Sequence, residues 1–411
     1  MTEKKPIIHL LSNGLRLVYL HADSPVSHFG LTLLSGSRYE KNNEMGLAHF
    51  LEHCLFKGTR KRKSFHILSR LDSVGGELNA YTAKEELCIY ASYSKEYTAR
   101  AIELIADISI NSNFPDKEIE KEKEIILDEI NSYLDNPSDK IFDDFEELLF
   151  SNHELGNNIL GNKKSVKSFN KEHLCNYVKR LFTASNGVIS FVGDLPFKKV
   201  KKICEKNFGD FPSHNNEIEV NSFKNYQPFN VIKKEANYQS HLVIGGIAPG
   251  YTNKEKVCIS LLINLLGGPA LNSRLVLTIR EKYGYAYNIE ANYTPYLDIG
   301  FWTIYLGCDQ KFLKKSIEII NRELKKLCLN ELSNSQLKNA KTQMKGHIAL
   351  NMDSNSGMML GLGKSLLIFN KIDNINEIHE QIDRIKADEL LTVANKYLHP
   401  DKSSSLIFDL K

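Results

Sequence analysis

Ala48-His-Phe-Leu-Glu-His-Cys-Leu-Phe-Lys-Gly58 lies in a segment, about Glu44 to Lys57, that reads as helix. At about 100° per residue, with His49 at zero, Glu52 falls near 300° and His53 near 40°, so all three share one face. Leu47, Phe50, Leu51, Cys54 and Leu55 fall between about 100° and 240° and supply a separate apolar face to bury. Two histidines at i and i+4 can present ring nitrogens to one zinc ion at ~2.0–2.1 Å. A carboxylate one residue before the second histidine shares that neighbourhood and can take a proton from water. H-x-x-E-H reverses the order of H-E-x-x-H and satisfies the same geometry.

The same helix has a loose counterpart downstream, Ile259-Ser-Leu-Leu-Ile-Asn-Leu-Leu-Gly-Gly268, where Asn264 replaces His53 and no Glu remains. An offset of 218 residues also sets Ile119 on Leu337, Ile126 on Met344, Ile130 on Ile348 and Asp135 on Asp353. The apolar stripe is kept, but Glu122 falls on Ala340 and Glu129 on His347. The chain therefore reads as two diverged copies with the acids confined to the first. A polar, turn-rich stretch from Ser213 to Gln227 separates them, giving a first half at 1–212, a linker at 213–228 and a second half at 229–411. Each half alternates strands with helix clusters, which predicts an α+β fold: a mainly antiparallel sheet against a layer of helices, used twice.

Catalytic zinc needs a third protein ligand and one open position. The helix predicted over about Asp116 to Tyr133 offers it. With Glu122 at zero, Glu129 lies near 340°, among Ile119, Ile126, Ile130 and Ile125 at about 60°, 40°, 80° and 300°. Carboxylates inside an isoleucine stripe are costly unless a cation pairs them. Glu122 and Glu129 thus stand apart from Glu124 and Asp128, which point away.

Composition narrows the alternatives. With 411 residues, 42% hydrophobic and 25% charged, the chain is long enough for more than one core and is neither disordered nor membrane-spanning in character. A net charge of +3 does not announce a nucleic-acid partner. Seven cysteines, an odd number without a C-x-x-C pair, imply neither a disulfide framework nor a cysteine zinc site, and favour a reducing compartment. The N-terminal run to Leu20 lacks a signal-peptide pattern and reads as a hairpin around Ser12-Asn13-Gly14, so the expected location is cytoplasmic, with an organellar or periplasmic one as the alternatives, and no membrane partner is expected.

His49-Phe-Leu-Glu-His53 followed 76 residues later by Glu129 resembles the inverted zincins of the pitrilysin and mitochondrial processing peptidase family. The likeness runs through Gly36-Ser-Arg-Tyr-Glu40, Phe56-Lys-Gly-Thr59, Gly75-Gly76, Asn79-Ala-Tyr-Thr82, Asn136-Pro137, Ile159-Leu-Gly161 and Val192-Gly-Asp194, nearly the whole chain. It implies one zinc per chain on His49, His53 and Glu129, with Glu52 activating water and Glu122 orienting the ligands. It also implies a clamshell of two halves closing over peptides or unfolded polypeptides in a chamber, in a chain that pairs as a homodimer or with a different subunit.

Gly76-Glu-Leu-Asn-Ala-Tyr-Thr82 precedes Leu87-Cys-Ile-Tyr-Ala-Ser-Tyr93 as a readable antiparallel pair. Its unpaired edge could accept an extended peptide as an extra strand. The resemblance implies that role for Asn79 and Ala80, with Tyr81 beside them; an ordinary edge strand is the plain reading. In the second half, Arg280 and Tyr287 match the family's spacing for an Arg and Tyr that reach the substrate, and Tyr285 is a close rival. Arg can hold a carbonyl or carboxylate, and Tyr can donate to a developing oxyanion. Packing of a helix-end Arg and a sheet Tyr is the plain alternative.

Other signals carry less. Gly357 to Ser365 imitates a phosphate loop, but Met358 stands where its first Gly is required, so a helix is expected. Lys57 to Lys63 reads as a solvated basic loop. His153, His173 and His347 lack ligand spacing and read as structural or surface residues. The expected activity is that of a zinc endopeptidase or oligopeptidase. A non-catalytic scaffold subunit, a catalytic subunit needing a different partner chain and a hydrolase of some non-peptide substrate are the alternatives.

Overall fold

The first pair of strand-forming runs builds the hairpin β1 (Ile7–Leu10) and β2 (Arg16–His21), antiparallel across a turn in which Gly14 has φ +88°. The computed structural model describes residues 5–214, 218, 220–236 and 238–410. Strands β3 (Val26–Leu33), β4 (Glu77–Thr82), β5 (Leu87–Ser94) and β6 (Gly187–Gly193) complete the first sheet. Its order is β1-β2-β6-β3-β5-β4. A second sheet holds β7 (Asn230–Glu235), β8 (Ser240–Pro249), β9 (Ala286–Pro295), β10 (Ile299–Cys308) and β11 (Ser404–Leu410) in the order β7-β11-β8-β10-β9.

The two sheets share one topology. With β1 set aside, the first strand of each set pairs in parallel with the last, β2 with β6 and β7 with β11, and every other neighbouring pair is antiparallel. This is the duplication that the offset of 218 residues implied.

Helix α1 (Leu47–Leu55) carries the H-x-x-E-H run and is followed by α2 (Ser64–Asp72) and α3 (Thr98–Asn111). Leu47, Phe50, Leu51, Cys54 and Leu55 are all buried, as the helical periodicity requires. Helix α4 (Asp116–Leu134) buries Ile119, Ile126 and Ile130, whereas Ile125 is 48% exposed, at the margin of its stripe. At its start, α1 depends on glycine. Gly46 has φ +90°, and a Cβ there would lie 2.7 Å from both the Leu160 carbonyl and the Gly161 Cα. Two glycines back to back let the chain near 160 cross that close, and Glu40 accepts from the N–H groups of Gly46 and Ala48 to cap the helix.

Helix α5 (Pro137–Leu149) departs from a single cut between halves. The chain divides into two compact units, Met1–Asn131 with Asn157–Val220 and Asn351–Ile372, and Ser132–Gly156 with Asn221–Leu350 and Asp373–Lys411. In the second unit, Phe145 and Ile141 of α5 bury themselves against Val243, Leu406 and Phe408 of its sheet. In the first, the helix Asn355–Phe369 packs on β3 and β6, with Gly363 allowing close approach to Thr32 and Ser190. An offset of 218 relates these two helices, so the repeats exchange equivalent elements. Each sheet needs a cover for the face its own helix layer leaves bare. Val220 to Asn221 is one of several crossings between the units, and of the stretch 213–228 residues 215–217 and 219 lie outside the described residues, as do 1–4 of the first half.

Gly357 to Ser365 is helical, as expected. No helix among the described residues is long and apolar enough to cross a membrane.

Candidate metal centre

On α1, the helical repeat places the rings of His49 and His53 side by side, centroids 4.7 Å apart. Helix α4 brings Glu129 to them: its Oε2 lies 3.7 Å from Nε2 of His49 and 3.7 Å from Nε2 of His53. These spacings exceed a hydrogen bond but suit donors on one ion, since two ligands at ~2.1 Å stand about 3.4 Å apart at the tetrahedral angle.

Protonation follows from the partners. Glu122, 2% exposed, accepts from His53 Nδ1 at 3.1 Å and from Lys57 Nζ at 2.8 Å. Burial raises its carboxyl, but the hydrogen bonds from His53 and Lys57 outweigh that and hold it below its usual value. An ionised carboxylate only accepts, so the Nδ1 of His53 that faces Glu122 carries a proton, and Nε2 is the nitrogen turned toward Glu129. Burial, with neighbouring His53 adding to it, pushes the His49 imidazole down to about 4, so that ring is neutral near pH 7. Nε2 of His49, Nε2 of His53 and a Glu129 carboxylate oxygen thus converge on one point, an arrangement that a cation there would stabilise. Buried Nδ1 of His49 has no hydrogen-bond partner among the described residues. Two imidazoles and one carboxylate are the protein donor set of catalytic zinc, and these residues fit it.

Glu52 lies next to His53 on the same helix, and its Oε2 accepts from Thr82 Oγ1 at 2.6 Å. Burial raises its carboxyl above the ordinary range, against the Thr82 hydrogen bond and the nearby His53. Strand β4 ends at Thr82 and is last in its sheet, paired only with β5 among the described residues. Asn79 and Ala80 therefore sit on a free edge beside the site. Tyr81 is engaged elsewhere, its hydroxyl donating to Glu86.

Sequence reasoning treated Lys57 and Arg62 as part of a solvated basic loop, and the structure corrects that. Lys57 neutralises Glu122, and Arg62 pairs with Glu103 and the buried Asp107. The stripe argument for burial suits Glu122 better than Glu129, whose side chain is 43% exposed at the mouth of the cluster. Thr82 was visible only as a letter in a motif; the signal that marks it is its position at the end of the edge strand.

Within the second unit, Arg280 lies on a π-helical segment (Val276–Lys282), its guanidinium 4.9 Å from the centre of the Tyr287 ring. Tyr287 is 84% exposed, while Tyr285 stacks on Phe312 at 4.7 Å and on Tyr283 at 5.2 Å. Packing uses Tyr285 and leaves Tyr287 outside. The positions that mirror the metal site also meet: His347 Nδ1 lies 3.2 Å from Asn264 Oδ1, a polar contact with none of the acids. His153 bonds to the Asn221 carbonyl, and His173 helps cap a helix.

Residues 16–163 match the family described as insulinase (peptidase family M16), and residues 168–344 match the peptidase M16 inactive domain. An uncharacterized zinc protease of Rickettsia bellii (strain RML369-C) is 31% identical over 97% of this chain and 96% of its own. The uncharacterized zinc protease YmxG of Bacillus subtilis (strain 168) is 30% identical over 96% of each chain. The beta subunit of the mitochondrial-processing peptidase of Mus musculus is 29% identical over 96% of this chain and 82% of its own. Among solved structures, a peptidase M16 inactive domain from Pseudomonas fluorescens has a TM-score of 0.91 at 18% identity, covering 99% of this chain and 98% of that one. A protease from Helicobacter pylori has a TM-score of 0.89 at 21% identity, covering 99% of each.

Proposed function

We propose, for a chain that belongs to the insulinase family of peptidases, M16, a zinc-dependent endopeptidase or oligopeptidase acting on short or unfolded peptides. The observation that carries this reading is the convergence of His49 Nε2, His53 Nε2 and Glu129 Oε2, with the Glu52 carboxylate adjacent. His49, His53 and Glu129 would hold one zinc, which when bound polarises the scissile carbonyl and lowers the pKa of water to about 7.

The chain's own groups supply the rest. Glu52 takes a proton from the attacking water as its oxygen bonds to the carbonyl carbon, then gives it to the departing amine nitrogen as the C–N bond breaks. A carboxyl raised by burial is a better base for this than a solvated one. The free edge of β4 pairs with an extended backbone irrespective of side chains, which favours unfolded substrate. Arg280 and exposed Tyr287 are proposed as substrate contacts of the second unit. All seven cysteines are unpaired, which supports a reducing compartment such as the cytoplasm.

The test is cleavage of a mixed peptide library by the protein and by Glu52→Gln at matched zinc content, read by mass spectrometry. Cleavage by the first alone supports the reading; no cleavage by either, at about one zinc per chain, rejects a self-sufficient peptidase. The relative named as a beta subunit supports a second reading, a catalytic chain needing a partner, which active homogeneous protein would exclude.

A further inference from the structure

The hydroxyl of Thr82 and the carboxylate of Glu52 join two elements whose tasks are otherwise separate: the edge strand β4 and the metal-bearing helix α1. At 2.6 Å this is one of the shorter contacts in the site. Threonine is branched at Cβ and stiff about χ1, so the direction of its hydroxyl is fixed by the strand backbone. That backbone is itself held. Tyr81, one residue earlier, donates to Glu86 Oε1 at 3.2 Å, and Lys364 reaches the same oxygen at 2.9 Å. One residue later, the Ala83 N–H donates to the Glu86 carbonyl at 2.7 Å and closes the turn into β5.

We propose that Thr82 is a positioning residue for the general base, holding Glu52 Oε2 so that Oε1 remains to take the proton from water, and thereby coupling peptide docking on β4 to the readiness of Glu52. This rests on the peptidase reading. A peptide that adds to the free edge of β4 stiffens the strand that aims the base, so an extended backbone long enough to pair with Asn79 and Ala80 is bound and activated by one element.

The test uses the zinc-loaded full-length protein and an unstructured, internally quenched peptide. Thr82→Val keeps the shape and removes the donor; kcat falls about 10- to 100-fold while KM, zinc content and the unfolding midpoint stay near those of the parent. Thr82→Ser restores the hydroxyl and most of kcat. In a Glu52→Gln background, Thr82→Val causes no comparable further loss, because both changes act on one step. A kcat for Thr82→Val within twofold of the parent overturns the proposal, as does a loss that persists undiminished without the Glu52 carboxylate. Failure of Thr82→Ser to recover, with KM or zinc content altered in both variants, would assign Thr82 a structural role instead. If the parent itself shows no zinc-dependent cleavage, the peptidase reading falls and takes this inference with it; the outcomes above arise only with an active parent.

Discussion

Lys57 Nζ lies 2.8 Å from Glu122 Oε1, so the buried carboxylate that orients His53 is balanced by a cation from the turn just after α1. His53, Lys57 and Glu122 form one unit in which the acid fixes the histidine tautomer and the lysine keeps the acid ionised. Glu122→Gln should weaken zinc affinity about 10- to 100-fold, as loss of a carboxylate partner to a ligating histidine does. Lys57→Met leaves Glu122 buried with His53 as its remaining partner among these contacts, and should weaken zinc in the same direction by less. Competition with a calibrated chelator measures both; equal affinity in parent and Glu122→Gln would remove Glu122 from the site.

Tyr285 and Tyr287 separate cleanly. Tyr287→Phe removes one hydroxyl from a residue 84% exposed, so stability should move by less than about 0.5 kcal/mol. If that hydroxyl donates to the developing oxyanion, kcat falls by about 10²-fold. Tyr285→Ala should instead cost about 1–3 kcal/mol of stability, because it dismantles the stack with Phe312 and Tyr283. Thermal unfolding and steady-state kinetics on the two variants decide the assignment; a kinetic defect confined to Tyr285→Ala reverses it.

What was legible in the sequence is what local periodicity fixes. His49, Glu52 and His53 share a face because one helix carries them, and Ile119, Ile126 and Ile130 line up for the same reason. The repeat was legible through spacing, and both sheets bear it out. Lys57 and Thr82 were not, since each acts through a partner 65 or 30 residues distant in sequence, which only the tertiary fold brings near. Nor was the destination of α5: an amphipathic helix announces that it must bury a face, without saying against which sheet.

Glu40 ties stability to pH. Burial pushes its carboxyl up to about 8, against the Gly46 and Ala48 N–H groups that favour the charge, with Glu44 raising it further and Lys84 lowering it. Unfolded, the group titrates near 4.5. Between those values the folded chain holds a proton that the unfolded chain has lost, so this contribution to stability is complete below about 4.5 and is lost as pH rises toward about 8. The slope it adds cannot exceed about 1.4 kcal/mol per pH unit, the limit for one proton. Glu40→Gln should flatten the denaturation midpoint across that window; a midpoint that falls as steeply without Glu40 would assign the dependence to other groups.

Phe145 tests the exchange of helices. It belongs by sequence to the first repeat, yet its ring lies in the core of the second unit, its Cζ about where a Cβ on Gly245 of β8 would be 3.0 Å away, and 5.5 Å from the Phe229 ring. Phe145→Ala removes a fully buried ring and should cost about 3–5 kcal/mol. The loss should be local to the second unit: amide hydrogen exchange rises in β8 and β11, against which α5 packs, while β3 and β6 keep their protection. Faster exchange in the first sheet instead would mean that α5 stabilises the repeat that encodes it, and the division of the chain would revert to a single cut near residue 220.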